Sequence, residues 1–386
     1  MKAKETMVKE QDKPPSYINH APRWFVAVVA NIKGETPIPV DGPPDAGAEY
    51  DRTETIHSIQ QAIESDGHRT AFIPADSNLP FALHELRPDI CFNLAEGLVG
   101  DSREAQVPAL LEMFRIPYTA SRVLANAISL DKALTKRIWR DAGLPLAPFQ
   151  EFVTGAEKLR PGLSFPLFVK PAREGTGMGV DLKAKVCSEA ELRERVDWVI
   201  QTYKQPALVE SFLPGREFTV AVLGRPDAAT YGRRPELYSA NGFHRFPILE
   251  IDSNRSVTPG VYGYKAKSKD LWENGAPGYF CPAEVDPQLE QALQRLARRA
   301  HQVIGAADVS RVDIRLDAQG NPCLMEINTL PGLNPSISDM CIMAQAEGLE
   351  YGDLILEILY LAASRYDLIK LPVQMVSRRL EPSRIR

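Results

Sequence analysis

Residues 311–328 read RVDIRLDAQGNPCLMEIN, and their first half alternates: Val312, Ile314 and Leu316 are apolar, while Arg311, Asp313, Arg315 and Asp317 are charged. A strand points successive side chains to opposite faces, so this stretch has one face to bury and one polar face. Gln319 and Gly320 supply a turn, and Cys323, Met325 and Ile327 carry the apolar set onto a returning strand. With the turn centred between Gln319 and Gly320, Asp313 lies opposite Glu326 and Arg311 opposite Asn328, and the six apolar residues share the other face. Two carboxylates directly opposite each other repel unless a cation lies between them. Asp, Glu and Asn are oxygen ligands of the kind magnesium takes, usually together with nucleotide phosphates. The alternative is a solvated face neutralised by its own arginines.

The hairpin sits in a chain of 386 residues, 44% hydrophobic, long enough for two or three domains with sizeable cores. A formal net charge of -5 and a pI near 5.8 argue against nucleic acid as the main partner. No apolar run approaches the roughly 20 residues of a bilayer span, and the opening MKAKETMVKEQDK lacks a signal-peptide core, so no membrane partner and a cytoplasmic location are expected. Cys91, Cys187, Cys281, Cys323 and Cys341 are scattered without a CxxC, and the histidines show no ligand spacing. Reduced thiols fit better than a disulfide frame or a zinc site.

Upstream, residues 1–22 read as a polar, flexible arm, and Phe25–Val29 as a strand buried on both faces. Lys33 to Tyr50 is a long loop rich in Pro, Gly and Asp. Asp51 is the expected N-cap, with Glu54 its partner, of a helix that carries Ile56, Ile59 and Ile63 and stops at Gly67. Strands over 70–73 and 89–93 with a short helix between them complete a β and α alternation, which implies a parallel sheet. Ligands of such sheets bind beyond the carboxyl ends of the strands, where Glu96, Gly97 and Gly100 fall. Glu96 is a substrate candidate or simply an exposed loop acid.

A helix over 106–114 precedes the basic helix of DKALTKRIWRDAGLP, residues 131–145, whose Lys132 and Lys136 read equally well as solvated surface. The strand at 165–171 ends on Lys170 and runs into AREGTGMGV, where Gly175, Gly177 and Gly179 allow backbone amides to close around an anion. There is no GK[ST], so this is not a Walker P-loop. Strands over 207–213 and 215–220 are flanked by Glu210 and Glu217, and 225–280, which contains VYGYKAKS, reads as strands joined by a long loop. A helix over 286–304 leads into the hairpin, the turn-rich TLPGLNPSISDM follows it, and a last helix spans 351–366.

In this order and spacing, DKALTK, FPLFVKPAREGTGMG, LVESFLPGREFTV, YKAK, RVDIRLD and MEINTLPG resemble the D-alanine:D-alanine ligase family of the ATP-grasp superfamily, from about residue 88 to 366. The resemblance implies an α/β fold, α+β in its C-terminal half. Its divisions would be an arm (1–22), a parallel α/β substrate domain (23–125), central and C-terminal ATP-grasp subdomains (126–214 and 215–372) and a basic tail (373–386). It implies ATP and magnesium, two ions bridged by Glu326, with manganese as a substitute, small-molecule carboxylate and amine substrates, and a homodimer. Lys132 and Lys170 would contact the phosphates beside Glu174, Gly175, Thr176 and Gly177. Glu210, Phe212 and Leu213 would line the adenine pocket, Glu217 would meet the ribose, and Lys267 would reach the phosphates from a covering loop. Asp313, Glu326 and Asn328 would hold the metal, and Arg311 and the backbone at Gly332 would stabilise the charged intermediate. The reaction would activate a carboxylate as an acyl phosphate and pass it to an amine.

The chain departs from the family where substrates are chosen. After the first strand it reads ANIKGETPIPV instead of a glycine-rich turn with a Ser and an amine-holding Glu, leaving Glu35, Glu49 and Glu54 as substitutes. Thr176 stands where the family has a serine, Ser268 where it has a loop tyrosine, and either Ser336 or Ser338 meets the second substrate. The expectation is a ligase with intact activation machinery and altered selectivity. A D-alanine:D-alanine ligase proper and a nucleotide-binding protein without ligase activity are the alternatives.

Overall fold

The computed structural model describes residues 23–38, 40–226, 228, 233–267 and 277–369. The arm, the basic tail and Ser268 lie outside the described residues. Strand β1 (Phe25–Ala30) is fully buried over Val26–Ala30, as its unbroken apolar run requires. Helix α1 (Thr53–Ser65) follows, then β2 (Arg69–Pro74), α2 (Leu79–Leu86), β3 (Ile90–Asn93) and α3 (Gln106–Phe114). The three strands make a parallel sheet in the order β2-β1-β3. Asn31, just past β1, is buried and ties the carboxyl end of the sheet together: its Nδ2 donates to Ala75 O at 3.0 Å, and its Oδ1 accepts from Gly97 N at 3.0 Å.

Asp51 does not cap α1. The N-cap position is Arg52, without a side-chain cap bond, because the Asp51 backbone is already used to close the 33–50 loop. Asp51 N donates to Asn31 O, and Lys33 N donates to Asp51 O.

Helices α4 (Val123–Leu130) and α5 (Lys132–Asp141) come next, α5 capped by Asp131, whose Oδ1 accepts from Leu134 N at 2.8 Å. Then follow β4 (Phe149–Phe152), β5 (Leu167–Pro171), β6 (Lys185–Val186), α6 (Glu189–Tyr203) and β7 (Ala207–Ser211), with the strands forming an antiparallel sheet in the order β4-β7-β5-β6. Strands β8 (Glu217–Leu223) and β9 (Leu249–Asp252), the short helix α7 (Tyr264–Lys267), β10 (Gly278–Phe280), α8 (Pro287–Val303), β11 (Val309–Leu316) and β12 (Pro322–Asn328) build a third sheet, ordered β10-β9-β8-β11-β12. Helices α9 (Asp339–Ala346) and α10 (Tyr351–Arg365) end the described chain. Among the described residues, helices α4, α6 and α9 carried no sequence expectation, and α7 falls where strands joined by a long loop were expected.

The third sheet packs on α8 and on α5, which inserts Trp139 among Phe218, Val220, Val312, Ile314, Leu324 and Ile327. The Trp139 indole donates to Ala300 O at 3.2 Å, so its one polar atom is satisfied in the core. Among the described residues no helix is long and apolar enough to cross a membrane.

Candidate functional site

The hairpin of β11 and β12 pairs Asp313 with Glu326 and Arg311 with Asn328. Its turn, however, is centred on Gln319: Leu316 faces Pro322, Ile314 faces Leu324, and the register shifts between Asp313 and Ile314. The extra residue at this bulge is Met325. The six apolar residues therefore do not share a face: Leu324 enters the core, while Met325 turns to the polar side beside Asp313 and Glu326. The Asp313 carboxylate is braced by the Thr219 hydroxyl and by Arg311 at 3.2 Å, and Arg311 also lies 3.4 Å from Asp339.

Facing this pair is a wall of lysines. Lys132 and Lys170 are nearly buried and line one cavity with Asp313, Glu326, Met325 and Gly177; Lys132 Nζ lies 3.6 Å from Glu326 Oε2. Lys136 is not surface either. It has no exposure, reaches Glu210 at 2.7 Å and donates to Leu324 O at 3.1 Å, the carbonyl next to the bulge. Glu210 accepts Lys170 on its other oxygen at 2.9 Å. Burial opposes its charge, but Lys136 and Lys170 outweigh burial and hold it at about 2. Glu326 is likewise held far below the usual carboxylate range: burial opposes ionisation, and Lys132, Lys170, Lys267 and Arg311 overcome it. Glu217 goes the other way, raised to about 7 by burial although Arg315 lies at 3.3 Å. Phe212 stacks under Lys185 and Arg315, 4.3 and 5.5 Å from its ring centre, with Leu213 partly buried beside it.

The glycine loop covers this cavity because its backbone is approached from two sides. A Cβ at Gly175 would meet Glu49 Oε1 at 2.2 Å. Gly177, at φ +71, leaves 2.7 Å to the backbone at Gly263 and Tyr264, and its carbonyl accepts from Tyr264 N at 3.0 Å. The turn that carries Lys267 is thereby docked on the loop, with the Lys267 ammonium 4.8 Å from the Tyr262 ring centre.

A second cavity, of about 200 Å³, continues from Arg311 and Asn328 toward the parallel sheet. Gly332, Ser338 and Asp339 line one end of it, and Lys33, Glu49, Asp51 and Glu96 the other, with Thr176 and Lys267 at its join to the first. Ser338 thus belongs to the site, whereas Ser336 is exposed and donates its backbone N–H to Asn334 Oδ1. Of the three candidate acids only Glu49 lines the cavity; Glu54 is exposed in the first turn of α1, and Glu35 takes a long 3.5 Å bond from Thr53. Glu49, Glu96 and Glu104 bring carboxylate oxygens within 4.8 Å of one another. Burial and this mutual repulsion raise Glu96, and push Glu104 to about 7. Asp51 also rises to about 7, through burial.

Four contributors carried no sequence signal of their own. Arg103 bonds Glu49 at 2.6 Å and Glu174 at 3.0 Å. Asp45 accepts from Gly179 N at 2.8 Å, Asp339 pairs with Arg311, and Met325 reaches the site through a bulge. Each depends on a partner more than twenty residues away or on a one-residue irregularity.

The family model described as D-ala D-ala ligase C-terminus matches residues 138–360. An uncharacterised protein of Sinorhizobium fredii is 32% identical over 317 residues, covering 80% of this chain and 87% of the relative. The D-alanine–D-alanine ligase of Bartonella henselae is 31% identical over 298 residues (76% and 87% covered), and that of Alcanivorax borkumensis 36% over 278 (72% and 78%). The crystal structure of a Bacillus anthracis D-alanine–D-alanine ligase complexed with ATP superposes with a TM-score of 0.63 at 20% identity, covering 89% of this chain and 99% of that one, which shows the ATP-grasp fold. The chain belongs to the D-alanine–D-alanine ligase family and is an ATP-dependent ligase that forms carbon–nitrogen bonds.

Proposed function

We propose that this ligase joins an amino-acid-like carboxylate to an amine through an acyl phosphate, with magnesium, and that its substrate-selecting residues are altered so that the pair it joins is other than two D-alanines. The observation that carries the reading is the pairing of Asp313 with Glu326 opposite the converging Lys132, Lys170 and Arg311. Asp313, Glu326 and Asn328 offer only oxygen donors on adjacent hairpin positions, and the site keeps Glu326 ionised, so the set fits magnesium or manganese. A bound ion would neutralise charge on the phosphoryl oxygens.

The chain's own groups do the rest. Lys132, Lys170 and Lys267 offset the phosphate charge around the glycine loop (Glu174 to Gly177), with the adenine toward Glu210, Phe212 and Leu213 and the ribose toward Glu217. The γ-phosphoryl group passes to the substrate carboxylate. The amine then attacks the acyl carbon, phosphate leaves with the bonding pair, and the amine's proton is lost to solvent. Arg311 and the Gly332 N–H face the developing oxyanion. Glu49 is the acid for the first substrate's amino group, with Glu96 behind it, and Ser338 faces the second substrate. The partition at 23–125, 126–214 and 215–372 belongs to the same proposal, supported by the three separate sheets.

The selectivity reading is supported by the 33–50 loop, which builds one wall of the substrate cavity, and by Thr176 in place of the family's serine. The identity of 31% and 36% to named D-alanine–D-alanine ligases favours the second reading, that both substrates are D-alanine. Phosphate release with ATP and magnesium across a panel of amino acids separates them: the first reading expects turnover with other substrates and little with D-alanine alone, and robust D-alanyl-D-alanine formation would overturn it. Glu326→Ala is expected to abolish turnover with an unchanged circular dichroism spectrum; retained turnover would refute the metal assignment.

A further inference from the structure

The backbone amides of the glycine loop divide into two sets. Gly175 N donates to Glu49 Oε1 at 2.6 Å and Gly179 N to Asp45 Oδ2 at 2.8 Å. Met178 N and Val180 N close turns inside the loop, onto Gly175 O and Gly177 O. The amides of Thr176 and Gly177 make no hydrogen bond among the described residues. Both residues have positive φ, +49 and +71, and Gly177 lines the cavity that holds Lys132, Lys170 and Lys267. Successive amides in such a turn form a concavity for an anion.

The two carboxylates are themselves fixed. Tyr203 OH donates to Asp45 at 2.9 Å. Arg103 holds Glu49 and spans to Glu174 and to Arg173 O at 2.9 Å, while Gln205 takes the other Glu174 oxygen at 2.6 Å. The 33–50 segment, which begins at the carboxyl end of β1, therefore reaches across to the far side of the glycine loop. A loop with glycine at 175, 177 and 179 has much backbone freedom to lose on closing around phosphate. A contact that removes this freedom beforehand lowers the cost of binding.

We propose that the 33–50 segment is a strap that pre-forms the phosphate loop: Asp45 and Glu49, held by Tyr203 and Arg103, keep the Thr176 and Gly177 amides turned toward the terminal phosphates of ATP. These four are positioning residues that touch the loop and not the nucleotide. The inference rests on the reading of the glycine loop as the phosphate site.

The test is calorimetric titration of the full chain with the magnesium complex of AMP-PNP and, separately, with AMP, which lacks the β- and γ-phosphates. Asp45→Ala is expected to weaken AMP-PNP about tenfold, the scale of one charge-assisted hydrogen bond, with AMP affinity within about twofold of the parent. Asp45→Asn keeps an oxygen for Gly179 N and is expected to recover most of the loss. Tyr203→Phe, which removes one hydroxyl and keeps the ring, gives a smaller loss confined to AMP-PNP and serves if the alanine variant fails to fold. Lys170→Met tests the underlying site. If it weakens AMP-PNP while Asp45→Ala and Tyr203→Phe do not, the strap is refuted and the phosphate site stands. If Lys170→Met binds AMP-PNP like the parent, the phosphate-site reading falls and takes the strap with it. Equal losses for AMP and AMP-PNP in the strap variants mean general loosening and also refute the proposal.

Discussion

Lys136 shows how far one residue's meaning can lie from its sequence neighbours. In DKALTKRIWR it is one of several cations on a helix of strongly polar character. In the fold it is fully buried between Glu210 of β7 and the Leu324 carbonyl of β12. Burial lowers its hold on a proton and Glu210 opposes that loss; the net direction is down. A buried charge stranded without any partner costs about 3–5 kcal/mol, but Glu210 keeps Lys170 at 2.9 Å when Lys136 is removed, so the loss is smaller and includes the Leu324 carbonyl left without its donor. Lys136→Met is therefore expected to lower the unfolding free energy by about 1–3 kcal/mol in a urea titration. The pH dependence has a definite sign. Glu210 is held at about 2, below its ordinary 4.5, so its contribution is complete above pH 4.5 and is lost as the pH falls toward 2. In Lys136→Met that acid-side loss becomes shallower, and an unchanged acid limb would refute the role given to Lys136.

At the scale of elements, what was legible had a period. The alternation of Val312, Ile314 and Leu316 gave the hairpin and the facing of Asp313 with Glu326, and Ile56, Ile59 and Ile63 gave α1. What was not legible had none. In CLMEIN the apolar Leu324 and Met325 are adjacent, so periodicity cannot say which faces the core, and a bulge decides it. The 33–50 segment is rich in Gly, Pro and Asp and has no period, and its role comes from contacts more than 120 residues away, Glu49 to Gly175 and Asp45 to Gly179. Helix α10 carries a similar hidden feature within a periodic apolar stripe. Glu357 is fully buried there, accepts from Tyr238 OH at 2.6 Å and leaves its Oε1 without a partner among the described residues. Burial pushes it up to about 7 from 4.5, more than the Tyr238 bond lowers it. A raised carboxyl contributes its stability below pH 4.5 and loses it as the pH rises through 7. Glu357→Gln should thus be near neutral at pH 5 and stabilise the protein at pH 8.5 by a few kcal/mol, each tenfold change in proton affinity being worth roughly 1.4 kcal/mol. Thermal melts at the two pH values check this, and equal effects at both would count against it.

At the scale of the molecule, the proposed substrate cavity is a joint between parts that fold from distant stretches of chain, with Glu96 and Asp51 on one wall and Arg311 and Ser338 on the other. Its geometry depends on what holds the parallel sheet to the hairpin sheet. Two clusters do so. Trp24 stacks on His68 at 4.8 Å, and Tyr360 of α10 packs on both and donates to Asp66 at 2.7 Å. Arg365, at the end of α10, donates to the carbonyls of Tyr118 and Ala120 at 3.0 and 2.9 Å and pairs with Asp308 at 2.7 Å, just before β11. Asp308 has no exposure, so its charge has nowhere to go if the guanidinium is removed. Arg365→Met is expected to cost about 3–5 kcal/mol in a denaturant titration. Arg365→Lys should be only partly better, because one ammonium cannot span a carboxylate and two carbonyls as a planar fork does. Arg365→Met/Asp308→Asn removes both charges and should regain stability relative to Arg365→Met alone. If this joint aligns the two walls, Arg365→Lys should raise the KM for the carboxylate substrate more than the KM for ATP, since Lys132 and Lys170, the proposed phosphate contacts, stand on α5 and β5 and not on the elements Arg365 joins. An equal rise in both would show that Arg365 supports stability alone and does not set the cavity.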